Sequence, residues 1–280
     1  MLLSLLLLQS AAPARVTRTG TFQSPRVTES SGVVVSRAHP GILWTHNDSG
    51  DLPYLYASDL AGRDRGAIRV SGADANDWED LSSGPCPLGP GVCLYIADTG
   101  DNSERRKSVT IYAVPEPQPP LNSADTQRVT AAARALKLRY PDGSHDVEAI
   151  YVSPLDSAVY LVSKGHSGTV RLYRVTHSAW HDDHVITAEL VQTLPISIDR
   201  SHANLVTGAA ARPDGSLVAI RTYGDLYLFR PGTGGRLVLT RQPRCSLGGA
   251  RGGEAVAFRD DSTLVMTSEA GTIHVVRCPA

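Results

Sequence analysis

An excess of charge is the first thing this chain lacks. Its 27 Lys and Arg against 28 Asp and Glu leave a formal charge of −1, which argues against general affinity for nucleic acid or an anionic membrane. Lysine is scarce: Lys107, Lys137 and Lys164 are the full complement, and arginine supplies the other 24 of the 27 basic residues. No Gly-x-Ser-x-Gly elbow occurs, and Gly165-His166-Ser167-Gly168 has the wrong spacing for one, so a serine hydrolase of that type is not expected. A P-loop and a dinucleotide fingerprint are also absent. So is a Cys-x-x-Cys pair, which argues against a zinc site among the 4 cysteines. No long helical period survives, except weakly around Asp125–Leu138.

What is present is a repeated strand phrase. Short β-branched and aromatic runs such as Val33-Val34-Val35, Leu94-Tyr95-Ile96 and Val159-Tyr160-Leu161-Val162 read as strands, with turn residues such as Pro213-Asp214-Gly215 between them. Each phrase opens on an acidic or small polar residue and closes on a charged or amide one. The openers are Glu29, Glu79, Glu148, Thr207 and Glu254; the closers are Asn47, Asp98, Lys164, Arg221 and Glu269. Opener-to-opener steps of 50, 69, 59 and 47 residues, by subtraction, are those of a propeller array. The expected fold is all-β: a single propeller over residues 15–280, five four-stranded blades, with Val16–Phe22 supplying the strand that the last repeat lacks. A sixth blade fits only if the Glu79–Glu148 interval hides one; the Pro115–Pro120 stretch in that interval reads as a stiff surface connection. In this geometry the openers and closers converge on one face, beside the central channel.

Met1–Leu8 is apolar and is followed by a small-residue Ala12-Pro13-Ala14 cleavage pattern. That predicts a signal peptide over residues 1–14 and a secreted or periplasmic protein; the run is too short to span a bilayer. The 4 cysteines suit an oxidising compartment, and the expected pairs are Cys86 with Cys93 and Cys245 with Cys278, out of three possible connectivities.

Six ordered runs, Asn47-Asp48-Ser49-Gly50, Asp77-Trp78-Glu79-Asp80, Asp98-Thr99-Gly100-Asp101-Asn102, Val114-Pro115-Glu116-Pro117, Asp146-Val147-Glu148-Ala149 and Gly253-Glu254-Ala255, resemble those of exported bacterial β-propeller proteins of unsettled activity. More distantly, the ring of Glu, Asn and Asp resembles calcium-dependent propeller hydrolases of the gluconolactonase and phytase kinds. That second likeness is architectural and does not itself fix a function.

The converging carboxylates are the strongest chemical signal. Glu29, Asn47, Asp98, Glu148, Glu254 and Glu269 are the expected ligands of a cation, calcium by the hardness of their oxygens. Glu79 and Glu148 are candidate general bases, while Lys164 and Arg221 could grip an anionic substrate. The bland alternative is an ion-pair plug in which Lys164 and Arg221 neutralise neighbouring Glu. Asp48 and Asp98 could add oxygens, though Asp-(Ser/Thr)-Gly-Asp is first of all a turn sequence. His46 is an alternative base whose structural role is the commoner reading. His177, His181 and His184 share a helical spacing but fall late in a repeat. Two functions compete: a metal-dependent hydrolase of a small anionic or sugar-derived substrate, and a non-catalytic module that binds a glycan or an envelope protein. A monomer is expected in either case.

Overall fold

Alternation of short apolar strands with turns leaves the chain no way to bury its side chains except face against face, and it does so five times. The computed structural model describes residues 12–120, 122–123, 128–198 and 203–279. Five sheets follow one another, each built on antiparallel strands in chain order. Blade 1 runs Ser30–Val35, Leu43–Asn47, Tyr54–Ser58, Asp64–Ser71, and blade 2 runs Trp78–Pro85, Val92–Asp98, Val109–Pro115, Arg134–Arg139. Blade 3 runs Val147–Val152, Val159–Ser163, Arg171–Val175, Glu189–Thr193, and blade 4 runs Val206–Ala211, Val218–Thr222, Asp225–Pro231, Leu237–Ser246. Blade 5 has Val256–Phe258, Leu264–Thr267 and Thr272–Arg277, and its fourth strand is Arg15–Thr21, paired antiparallel from the other end of the chain. The first strand of each blade lies innermost, against those of its two neighbours, so the ring closes.

Every junction between successive blades holds its own apolar cluster. Large side chains do much of the filling: Trp44 and Ile68 meet Trp78 and Leu94 between blades 1 and 2, and Tyr95 and Ile111 meet Leu161 and Tyr173 between blades 2 and 3. Tyr151 and Leu172 meet Ile220 and Phe229, Leu226 and Leu247 meet Met266 and Val276, and Val265 and Ile273 meet Leu43 and Phe22 at the closure. Each such side chain, fully buried, stabilises by about 1.5–3 kcal/mol. The disulfides are Cys86–Cys93 and Cys245–Cys278, the second tying blade 4 to the end of blade 5.

The interval between Glu79 and Glu148 holds no sixth blade. Part of it, Val129–Ala132, pairs in parallel with the outer edge of blade 1. Ile186–Thr187 does the same for blade 2, and Ala12–Pro13, which falls within the expected signal peptide and would leave with it, does so for blade 4. Covered edges cannot template pairing with another chain. The weak helical period resolves as the strands Val129–Ala132 and Arg134–Arg139, because edge pairing outweighs local propensity. Its first residues, and residues 1–11 of the expected signal peptide, lie outside the described residues. Among the described residues no helix is long and apolar enough to cross a membrane.

One irregularity recurs in every blade. Where the first strand starts, two of its residues oppose a single residue of the second strand. Glu79 and Asp80 face Ala97, Glu148 is the extra residue between the pairs Val147 with Ser163 and Ala149 with Val162, and Thr207 is the extra residue in blade 4. In blade 5 Glu254 donates its N–H to Thr267, whose own N–H returns to Ala255. In blade 1 Ser31 and Gly32 share the bulge opposite His46. A bulge re-aims the side chain it carries. The repeated opener is therefore the bulged residue, and in blade 1 that residue is Ser31, not Glu29.

Candidate metal centre at the acidic mouth

The bulges of blades 2 and 3 bring the carboxylates together. Glu79, Asp146 and Glu148 each present an oxygen, all within 4.8 Å of one another, and Asp48, Asp77 and Glu79 do the same. Glu79 belongs to both groups. Asp77 with Glu79, and Asp146 with Glu148, repeat one Asp-x-Glu spacing in which alternate residues share a face. That spacing occurs at the start of blades 2 and 3 and not of the others, and it is the sequence signal that singles out Asp77 and Asp146.

Glycine makes room for the cluster. A Cβ on Gly100 would sit 2.0 Å from Glu79 Oε1 and 2.6 Å from Asp77 Oδ2. Gly50, in the matching Asp-Ser-Gly-Asp turn, has φ 86° and is there for its backbone. The two turns look alike in sequence, yet one glycine serves conformation and the other serves space.

Charge is unbalanced here. Burial first, then Glu148, Asp48, Asp77 and Asp146, push the Glu79 carboxyl well above the usual range. Burial also lifts Glu148, against the pull of Lys164. Lys164 Nζ lies 2.5 Å from Glu148 Oε1 and 3.7 Å from Asp146 Oδ2. Burial opposes the ammonium, but those two carboxylates outweigh it and hold it charged. The proton that the cluster retains therefore belongs on Glu79, which has no cationic partner among the described residues, and Glu148 is the ionised member of its pair. Burial and the charges of Asp48 and Asp146 raise Asp77 to about 6. Asp146 Oδ1 accepts the Asp101 N–H at 2.8 Å, whereas its buried Oδ2 accepts no hydrogen bond, with His166 Nε2 3.2 Å away.

The remaining expected residues take other positions. Glu29 is exposed, two residues before its bulge. Asn47 accepts the Thr28 and Glu29 N–H groups and donates to Arg26 O and Asp51 Oδ2, so it knots a loop. Asp98 is fully buried and engaged by Arg106 at 2.8 Å and by the Asn76 side chain at 2.9 Å. Neither Asn47 nor Asp98 has an oxygen to spare for the cluster. Glu254 is buried beside exposed Glu269; burial and that neighbour raise it to about 7, against Arg221 and Lys164. Arg221 is buried and donates to the carbonyls of Ala255, Thr267 and Ala250 at 2.7, 3.0 and 2.8 Å. It staples blade 4 to blade 5 rather than reaching for a substrate. Gly253 permits this, since a Cβ there would meet the guanidinium at 2.1 Å. His46 is buried, its Nδ1 2.8 Å from Asn47 O and its ring edge-on to Trp78, and burial lowers its pKa: a packing residue. His177 and His181 lie in a short 3-10 helix, outside both carboxylate groups.

The closers diverge for a reason of register. Asn47 and Asp98 stand opposite the residue before the bulge, but the equivalent positions in blades 3 and 4 are Ser163 and Thr222. Lys164 and Arg221 are each one residue off, and a one-residue offset turns a side chain to the other face.

Asp80, beside Glu79, turns into the ring itself. It is buried, and its carboxylate accepts N–H bonds from Leu81 at 2.8 Å, Ile150 at 2.9 Å and Ala209 at 3.2 Å, thereby joining blades 2, 3 and 4.

Fold and site together define a five-bladed β-propeller with a buried acidic cluster at one mouth of its channel. No protein-family model matches the chain, and no curated protein matches it by sequence. Among solved structures, the selenomethionine-substituted virginiamycin B lyase from Staphylococcus aureus aligns with a TM-score of 0.44 at 13% identity, over 93% of this chain and 69% of that one. That degree of likeness carries no functional argument.

Proposed function

We propose that this is an exported propeller that binds one hard divalent cation, calcium in type, between Glu79, Asp146 and Glu148, with Asp48 and Asp77 beside them, and that it hydrolyses a small anionic or sugar-derived substrate there. The carrying observation is Asp146 Oδ2: a buried carboxylate oxygen without a hydrogen bond, grouped with two other buried carboxylates. Like charges at this range repel, and an oxygen-seeking cation relieves them. The space left by Gly100 supports the same reading.

A bound cation would supply Lewis-acid polarisation of a substrate oxygen. Lys164, released from Glu148 as that carboxylate turned to the cation, would pair with the substrate's anionic group. Glu79, ionised once the cation is bound, would stand beside the polarised oxygen as the candidate general base. The placement of Arg221 leaves Lys164 as the single cation of the pair suited to that grip.

One observation favours the non-catalytic alternative, a glycan- or protein-binding module: the 2.5 Å Lys164–Glu148 contact neutralises part of the cluster without any metal. Melting of the mature protein after EDTA, with and without calcium, separates the readings. Calcium is expected to raise the melting temperature, and Glu148→Gln to abolish the rise. Turnover of phosphoester and lactone panels, lost on chelation, then establishes the hydrolase. Calcium binding without turnover leaves a cation-stabilised binding module, and no calcium effect at all rejects the metal centre.

A further inference from the structure

The channel has a second end. Beyond the Asp80 staple it widens into a cavity of about 280 Å³ that opens on the face opposite the acidic mouth. Its wall takes apolar residues from every blade, among them Val33, Leu81, Val152, Ala209 and Val256. Arg37 is the single charged residue among those that line it. Arg37 is exposed and forms no ion pair among the described residues; Glu116 influences it only as a neighbouring charge, and is itself bonded by Ser36 Oγ and Trp44 Nε1. Two hydroxyls complete the polar lining. Ser82 Oγ accepts the Val152 N–H and keeps its own proton to donate, and Ser83 is half-buried at the wall.

We propose that this funnel is a binding site for a small amphiphilic carboxylate, its apolar body in the channel and its head on Arg37. An apolar wall offers water too few partners to hold it well. Small-molecule sites are characteristically mostly apolar, with a few placed polar groups. At roughly 30 Å³ for each water-sized group, the cavity takes about nine of them, which is the body of a medium-chain or aryl acid. The planar fork of Arg37 matches a carboxylate in two-point contact. The site is separate from the acidic mouth and does not depend on a cation there.

Calorimetric titration of the full mature chain in EDTA tests this, with sodium butanoate, octanoate and dodecanoate as probes and octan-1-ol as the uncharged control. Affinity should rise from butanoate to octanoate and gain little at dodecanoate, where the cavity is full. Arg37→Gln, a change at an exposed position, should weaken octanoate about tenfold, the loss of one charge-assisted contact, and leave octanol unchanged. Ala209→Leu should block every probe; if that variant does not fold, the chain-length ceiling tests the cavity in the unaltered protein. No octanoate binding at millimolar concentration, affinity that climbs without a ceiling, or indifference to Arg37→Gln would each overturn the proposal.

Discussion

Without a cation, this protein should lose stability as pH rises through neutrality. Glu79 and Glu254 are both raised in the folded state, chiefly by burial, and Glu254 lies at about 7. The unfolded chain releases the corresponding protons near pH 4.5. Between these values the folded state binds more protons than the unfolded state, so stability falls with each step upward. For Glu254 alone, 2.5 pH units at 1.36 kcal/mol each amount to about 3 kcal/mol, fully felt above pH 7. Carboxylates held low elsewhere do not obscure this: Asp260, at about 2 because its bonds to Thr263 and Ser262 outweigh burial, has titrated before the window opens. Calcium should act in the opposite sense, since its ligands must be ionised. If binding expels the proton of Glu79, the apparent Kd falls by up to about tenfold per pH unit below its titration, and levels off above it. Melting curves from pH 5 to 8 in EDTA and in calcium read the first effect. Calorimetry in two buffers of different ionisation enthalpy counts the protons released. A melting temperature in EDTA that climbs from pH 5 to 8, or a calcium Kd indifferent to pH, would refute the reasoning.

Gly100→Ala should cost only about 1 kcal/mol, because the crowded atoms are the ends of side chains. By moving Glu79 and Asp77 it should nevertheless remove most of the calcium-induced rise in melting temperature. Asp80→Ala leaves the N–H groups of Leu81, Ile150 and Ala209 without their acceptor, and urea unfolding should show a loss of about 4 kcal/mol; a loss below about 1 kcal/mol would mean that the staple contributes little. Replacing both Cys245 and Cys278 by Ala opens a loop of 33 residues, for which chain entropy gives about 3.7 kcal/mol. Unfolding under oxidising conditions measures that difference directly.

The architecture was legible because its signal is periodic: strand runs, turns and openers recur at propeller spacing, and the closing strand expected at Val16–Phe22 is found at Arg15–Thr21. Both disulfides were legible from their place in the repeats. Of the carboxylates that the structure groups together, the sequence reading had singled out Glu79 and Glu148 but neither Asp77 nor Asp146 as a ligand. Glu29 stands two residues before the bulge of blade 1, and nothing in Glu29-Ser30-Ser31-Gly32 marks which position carries it. Asp98 and Asn47 have ligand-like chemistry, but their oxygens are taken by Arg106 and by the N–H groups of Thr28 and Glu29, partners that become visible only in three dimensions. Arg221 looked like a substrate clamp because a sequence does not show backbone carbonyls converging on a guanidinium.

The closure of blade 5 by Arg15–Thr21 has a kinetic side. Thr19 Oγ1 reaches Ile273 O across 254 residues of chain, and bringing such distant segments together costs on the order of 5 kcal/mol in loop entropy. Contacts so remote in sequence form slowly, so the ring should snap shut as the last event of folding. Until then Thr272–Arg277 offers an open edge, and the same seven residues from a second copy would fit it as well as the chain's own. Concentrated refolding should therefore divert part of the material into strand-exchanged pairs, while dilute refolding returns monomeric rings.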